Sequence, residues 1–262
     1  MVLLLIKKTF FDLWDNLYSM FLFGVATIVV AAFFMAMMVT VGVNSPKFFL
    51  AFIGGIFCLG QLIAALFFYT HDIAMNEQVK IRNIVGYIAR TWKVNLVISG
   101  IFSAIFILTI SGIRFYIHAV GPVAVVGTGV LAGTAIIVGL VLLFFYPFYI
   151  RSEEGILDAM KKSAFFISDN PVFVIGVIIG IVTICAMSAF SYGIAPGFTA
   201  ITLWINVCVR IRLYKYEYRK STKTVSGNIP WDDLIKEDLA MYDRRWFVGK
   251  TQKKEDTKKK DN

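Results

Sequence analysis

The chain has 262 residues, 58% of them hydrophobic and only 16% charged, with a net charge of +9 and a mean hydropathy of +0.73. Soluble domains carry roughly 25% charged residues, so this composition excludes an ordinary soluble globular protein. Three cysteines without a C-x-x-C spacing, all inside apolar runs, argue against a disulfide-stapled secreted domain.

The first ten residues, MVLLLIKKTF, place their basic pair after the apolar stretch and show no small-residue cleavage site. They are not expected to act as a signal peptide. From there Asp, Glu, Lys and Arg are missing over 16–46, 48–71, 94–113, 115–150 and 170–209. About 20 predominantly apolar residues cross a bilayer as a helix, and each of the five runs reaches that length. The last is long enough for two short spans, and Gly193, Pro196 and Gly197 in SYGIAPG break it with a turn. Six spans result, at 17–43, 48–69, 94–112, 123–145, 171–189 and 195–213.

Charge favours six over five. With six spans, the N-terminus, the 70–93 loop, the 151–170 loop and the tail share one face, with 2, 4, 3 and 15 Lys and Arg, against Lys47 and Arg114 opposite. Positive loops stay in the cytoplasm. Both termini are therefore expected to be cytoplasmic.

Three segments align on an asparagine: FFDLWDNLYSMFLFGV on Asn16, IARTWKVNLVISGI on Asn95 and FFISDNPVFVIGV on Asn170. Each precedes a pair of spans, so the chain reads as three repeated hairpins. Asparagine accepts well from the unpaired N–H groups of a helix start, and proline suits the first helical position, as at Pro171. The three asparagines are therefore expected to cap helix entries. The segments before them are amphipathic. Ile6, Phe10, Leu13, Trp14 and Leu17 oppose Lys8, Asp12 and Asp15. Ile81, Ile84, Val85, Ile88 and Trp92 line a face of 76–93. Ile156, Met160, Ala164 and Ile167 line a face of 152–168. Such helices lie in the headgroup plane.

No ionisable group sits inside a span, whereas ion-coupled carriers retain such groups for function. Gln61 and Asn206 are the strongest intramembrane polar side chains. They either hydrogen-bond between helices, at about 1 kcal/mol each, or line a cavity, and the first reading is favoured. Gly129/Gly133 and Gly176/Gly180 form G-x-x-x-G patterns, expected to pack within the chain. Phe67, Phe68, Tyr69, Phe144, Phe145, Tyr146, Phe148 and Tyr149 read as an interfacial aromatic belt.

Catalytic and metal motifs are missing: there is no H-E-x-x-H, P-loop or G-x-S-x-G, and only His71 and His118, on opposite faces. Neither enzyme activity, nor a cofactor, nor a metal is expected. After the last span, Arg210 and Arg212 in RIRLYKYEYRK suit snorkelling towards anionic lipid, with no need for nucleic acid. The tail, 221–262, forms a second region after the 1–220 transmembrane domain. In it, 229–246 reads as a short helix with Trp231, Leu234, Ile235, Leu239 and Tyr242 available to a partner or to the bundle, followed by a charged disordered end.

The Asn16-Leu17 entry and the stretches GGIFCLGQLIAALFFYTHDI, RTWKVNLVISG and YPFYIRSEEGILDAMKKSAFFISDNP resemble the YesL-like bacterial membrane proteins over residues 10–220. The resemblance implies an association with carbohydrate uptake systems and carries over no catalytic residues. The sequence thus predicts an all-α polytopic membrane protein, six transmembrane helices as three repeated hairpins, each preceded by an amphipathic interfacial helix. Its expected role is that of an accessory or scaffold protein with a protein partner at the cytoplasmic face. A permease or channel for a small solute or lipid is the alternative.

Overall fold

The computed structural model describes residues 2–41, 45–75, 83–117, 121–152, 155–190 and 197–222. The expected helix over 229–246, with Trp231, Leu234, Ile235, Leu239 and Tyr242, lies outside them, as do 76–82 and the 191–196 turn. Eight α-helices run through the described residues: α1 (Val2–Asp15), α2 (Leu17–Val41), α3 (Pro46–Ala74), α4 (Asn83–Ile117), α5 (Pro122–Arg151), α6 (Ile156–Asp169), α7 (Pro171–Phe190) and α8 (Gly197–Thr222). The chain divides into two units, Leu4–Val209 and, together, Met1–Leu3 and Arg210–Asn262.

Local chemistry sets the helix starts. Ser45 has an extended backbone, and its Oγ accepts from Lys47 N at 3.3 Å, with Pro46 in the first turn of α3. Pro122 opens α5 behind Gly121, whose φ of +97° favours glycine. Pro147 lies inside α5, where its missing N–H removes a helical bond.

Five helices are long and apolar enough to cross a membrane: Leu17–Val41, Lys47–Ala74, Asn83–Tyr116, Pro122–Arg151 and Pro171–Phe190. The described residues are therefore all-helical, with the character of a multi-pass membrane protein. The part of α8 within Leu4–Val209 differs from these five. Leu203, Ile205, Val207, Cys208 and Val209 are completely enclosed, and Thr199, Thr202 and Asn206 are buried beside them. A helix apolar on nearly all sides and sheathed by others is a core helix. Arg210, Arg212 and Lys215 follow in the same helix and dilute its apolar character.

Within Leu4–Val209, α3 packs on α2, α4 and α5, and α5 also packs on α4 and α6. The aromatic residues expected to form an interfacial belt are, apart from half-buried Tyr149, core. Phe67, Phe68, Tyr69, Phe144, Phe145, Tyr146 and Phe148 are all buried. Phe67 stacks on Tyr146 at 5.3 Å, and Phe166 of α6 takes both Phe144 and Phe148 at 5.3 Å. Rings this large stabilise most where neighbouring helices remove them from the surroundings.

α6 packs through Ala159, Ser163 and Phe166 and leaves Ile156, Met160, Ala164 and Ile167 half-buried or exposed, and Ser163 Oγ donates to Val141 O of α5 at 3.0 Å. One amphipathic segment is corrected. The segment before Asn95 is not a separate helix: residues 83–94 run directly into the apolar stretch as one 35-residue helix. In α1 the polar side faces inward. Lys8 and Asp12 are buried as an ion pair at 3.5 Å, while Ile6, Phe10 and Trp14 are exposed.

Candidate functional site

Gln61 and Asn95 anchor a polar seam through the α3–α4–α5 contact. Gln61 Nε2 donates to Ile88 O at 3.0 Å and to Thr91 Oγ1 at 2.6 Å, and Thr91 Oγ1 donates to Tyr87 O at 2.8 Å. One turn on, Asn95 Nδ2 donates to Phe57 O of α3 at 3.1 Å. Its Oδ1 accepts from Ser99 Oγ at 3.1 Å and from Tyr146 Oη of α5 at 3.4 Å. Gly60 leaves the space: a Cβ there would lie 2.7 Å from both Asn95 Oδ1 and Ser99 Oγ. At the far end of the helix pair, Tyr87 Oη donates to Asp72 Oδ2.

Asn95 is thus not a helix-entry cap. It sits inside α4, wholly buried, and holds three helices together. Thr91, Asn95, Ser99 and Ser103 recur every four residues, and all are buried. That spacing puts them on one face of a helix, a polar stripe in an apolar run that identifies the seam once read at its period.

Asn206 of α8 does comparable work. Its Nδ2 donates to Phe67 O at 3.0 Å and to Thr70 Oγ1 at 2.9 Å, both on α3. The same helix is tied to α2 by Thr199 Oγ1 donating to Met20 O at 3.1 Å, and to α7 by Trp204 Nε1 donating to Val177 O at 3.2 Å. Gly180 admits Trp204: a Cβ would lie 2.5 Å from its ring. Gly180 therefore does pack within the chain. Gly129, Gly133 and Gly176 do not, since a Cβ on any of them would meet nothing within 4 Å.

Asn16 and Asn170 each stand as the single residue between two helices. Asn16 Nδ2 donates to Asp12 O at 3.0 Å, and Asn170 Nδ2 to Phe166 O at 3.1 Å. Each amide thus closes the helix behind it. Each backbone carbonyl opens the helix ahead, accepting from Met20 N and Val174 N, both at 3.0 Å. Arg210, expected to face lipid or a partner, is buried at 8% exposure. Its Nε and Nη2 take Tyr214 Oη at 3.1 and 2.8 Å, the guanidinium lying 5.4 Å from that ring's centre. Arg212 is half-buried one turn before Tyr216.

Among the described residues, no three His, Cys, Asp or Glu side chains are placed to hold a metal ion. A crevice of about 290 Å³ between α4 and α5 is lined by Phe102, Ile105, Phe106, Val138 and Leu142, with Thr109 as its one hydroxyl. It offers apolar contact and no reacting group. No family model, curated protein or solved structure matches this chain.

Proposed function

We propose that this chain is a non-enzymatic accessory or scaffold protein of the bacterial inner membrane. It crosses the bilayer six times as three hairpins, with both termini cytoplasmic, and serves a partner there, a carbohydrate transport system being the one that the YesL-like resemblance implies. One observation carries this reading: the strongest intramembrane polar groups, Gln61 and Asn206, direct their amide donors onto neighbouring helices. Polar side chains used in this way lock helices together.

Sixfold crossing draws support from the sheath around residues 199–209. A helix with that environment needs little apolarity towards lipid, so its modest hydropathy does not count against a span. The repeat draws support from burial at equal offsets. Four, seven and eleven residues before Asn16 and Asn170 lie Asp12, Thr9 and Leu5, and Phe166, Ser163 and Ala159, all buried. The outward faces of α1 and α6, with Ile6, Phe10, Trp14, Leu157 and Phe165 exposed, suit a membrane surface containing anionic lipid.

Purification through a C-terminal tag in mild detergent is expected to retain a stoichiometric protein partner, and deletion of 221–262 to release it. Recovery of the chain alone, together with an unchanged phenotype after the deletion, overturns the scaffold reading. The permease reading keeps one observation in its favour: Gln61 Oε1 and Asn206 Oδ1 are buried and accept no hydrogen bond from the described residues. Solute flux in reconstituted vesicles, lost in Gln61→Ala or Asn206→Ala without loss of folding, would move the assignment to transport.

A further inference from the structure

We propose that α4 carries a hinge at Asn95. Its 83–94 segment leaves the line of the spanning helix and folds onto anionic lipid headgroups, the placement proposed above for α1 and α6. The inference goes beyond the scaffold role, and rests on the reading of α1 and α6 as membrane-surface helices.

Three observations on different residues converge. First, length: α4 has 35 residues, about 52 Å at 1.5 Å per residue, against a hydrocarbon core of about 30 Å. Its uncharged stretch, 94–113, alone accounts for the core thickness, so the excess is chiefly 83–93. Second, register: four residues before and four after each of the three asparagines the chain is buried, as Asp12 and Met20, Thr91 and Ser99, and Phe166 and Val174. α4 therefore presents the same pattern as the two junctions that break. Third, charge: Arg90 and Lys93 are both exposed within this segment, beside exposed Trp92 and Val85. Arg90 lies over the Phe68 ring at 5.7 Å and Lys93 over Trp92 at 5.7 Å. Two cations beside an exposed tryptophan suit a lipid phosphate layer.

Contacts that hold 83–94 against α3 include Gln61 to Ile88 and Thr91, Tyr87 to Asp72 and to the Phe68 ring, and Arg90 to Phe68. Folding 83–94 away exchanges them for headgroups, and frees Asn95 Nδ2 to turn from Phe57 O to the carbonyl four residues back, as in Asn16 and Asn170. Helix bends have identifiable causes, a side chain inserted into the backbone ladder among them. The device is thus a two-state element biased by the lipid that Arg90 and Lys93 meet.

The test uses the full chain with spin labels in place of Val85 and Leu108, both exposed. A straight α4 puts the labelled backbone sites about 35 Å apart, and a right-angle bend at Asn95 about 25 Å. In phosphatidylcholine nanodiscs the longer distance is expected to dominate. Adding phosphatidylglycerol is expected to raise the ratio of short to long by about tenfold or more, and Arg90→Gln with Lys93→Gln is expected to abolish that rise. A single distance of about 35 Å in both lipids overturns the hinge, as does a short distance indifferent to lipid and to the double substitution. A label at Phe165 keeps the two readings apart. If it is lipid-exposed while α4 stays straight, only the hinge fails; if it is water-exposed, the surface-helix reading fails first.

Discussion

Gly60 and Gly100 occupy comparable places in sequence and opposite places in packing. A methyl group at 60 meets Asn95 Oδ1 and Ser99 Oγ at 2.7 Å, and at 100 it meets nothing within 4 Å. Gly60→Ala is expected to destabilise by about 1–3 kcal/mol, the cost of overpacking, and Gly100→Ala, in mid-helix with open space around it, to stabilise by about 0.5–1 kcal/mol. Unfolding in a denaturing detergent series measures both, and equal stabilities would remove the seam. The Gln61–Thr91 hydrogen bond is open to a double-mutant cycle with Gln61→Leu and Thr91→Val. The expected coupling is about 0.6 kcal/mol and no more than about 1.7. The cysteines report burial directly: Cys185 is exposed and Cys208 enclosed. Both lie within apolar runs, and alkylation needs a hydrated thiolate, so a maleimide should spare both in the intact bilayer and, along a denaturing detergent series, modify Cys185 before Cys208. Early modification of Cys208 would contradict the sheathed α8.

At the scale of elements, the three asparagines show what the sequence could and could not tell. Their alignment is visible by eye, but only two of them separate helices. The difference lies one residue earlier: Asp15 and Asp169 precede the two that break, and Val94 precedes Asn95. Short polar side chains in tandem compete with the helix for its backbone groups. Asn170 Nδ2 indeed bridges to Asp169 Oδ2 at 3.2 Å. A single asparagine between Val94 and Leu96 lacks that competitor and turns to a neighbouring helix. Asn170→Ala is expected to cost about 1 kcal/mol by removing the bond to Phe166 O, with Asn16→Ala similar through Asp12 O. Five of the span positions were legible because apolar length is a strong, local signal. The burial of the FFYPFY aromatics was not, because composition places them near a membrane border without saying which side a neighbouring helix covers. The packed face of α6 was missed for a related reason: Ser163 counts as polar until a carbonyl of α5 is seen to accept from it.

For the whole molecule, the decisive quantity is the sorting of basic residues. Reporters fused at residue 262, and a cysteine placed at 118–120 and treated with an impermeant reagent, test it. Both termini inside the cell, with 118–120 reactive only from outside, is the expected result; an exported C-terminus would leave an odd number of crossings. The proposed partner surface, 229–246 with Trp231, Leu234, Ile235, Leu239 and Tyr242, rests on amphipathic spacing alone, and deletion of 221–262 tests it.

The enclosure of residues 199–209 bears on biosynthesis. The ribosome delivers this helix after the other seven described ones, so its neighbours must enter the bilayer and wait with their docking groups uncovered: the carbonyls of Met20, Phe67 and Val177 and the hydroxyl of Thr70. A chain terminated at residue 196 would retain every strongly apolar segment and still be left with a lengthwise gap. Quality-control proteases are expected to clear it, and supplying residues 197–262 as a separate polypeptide is expected to rescue it.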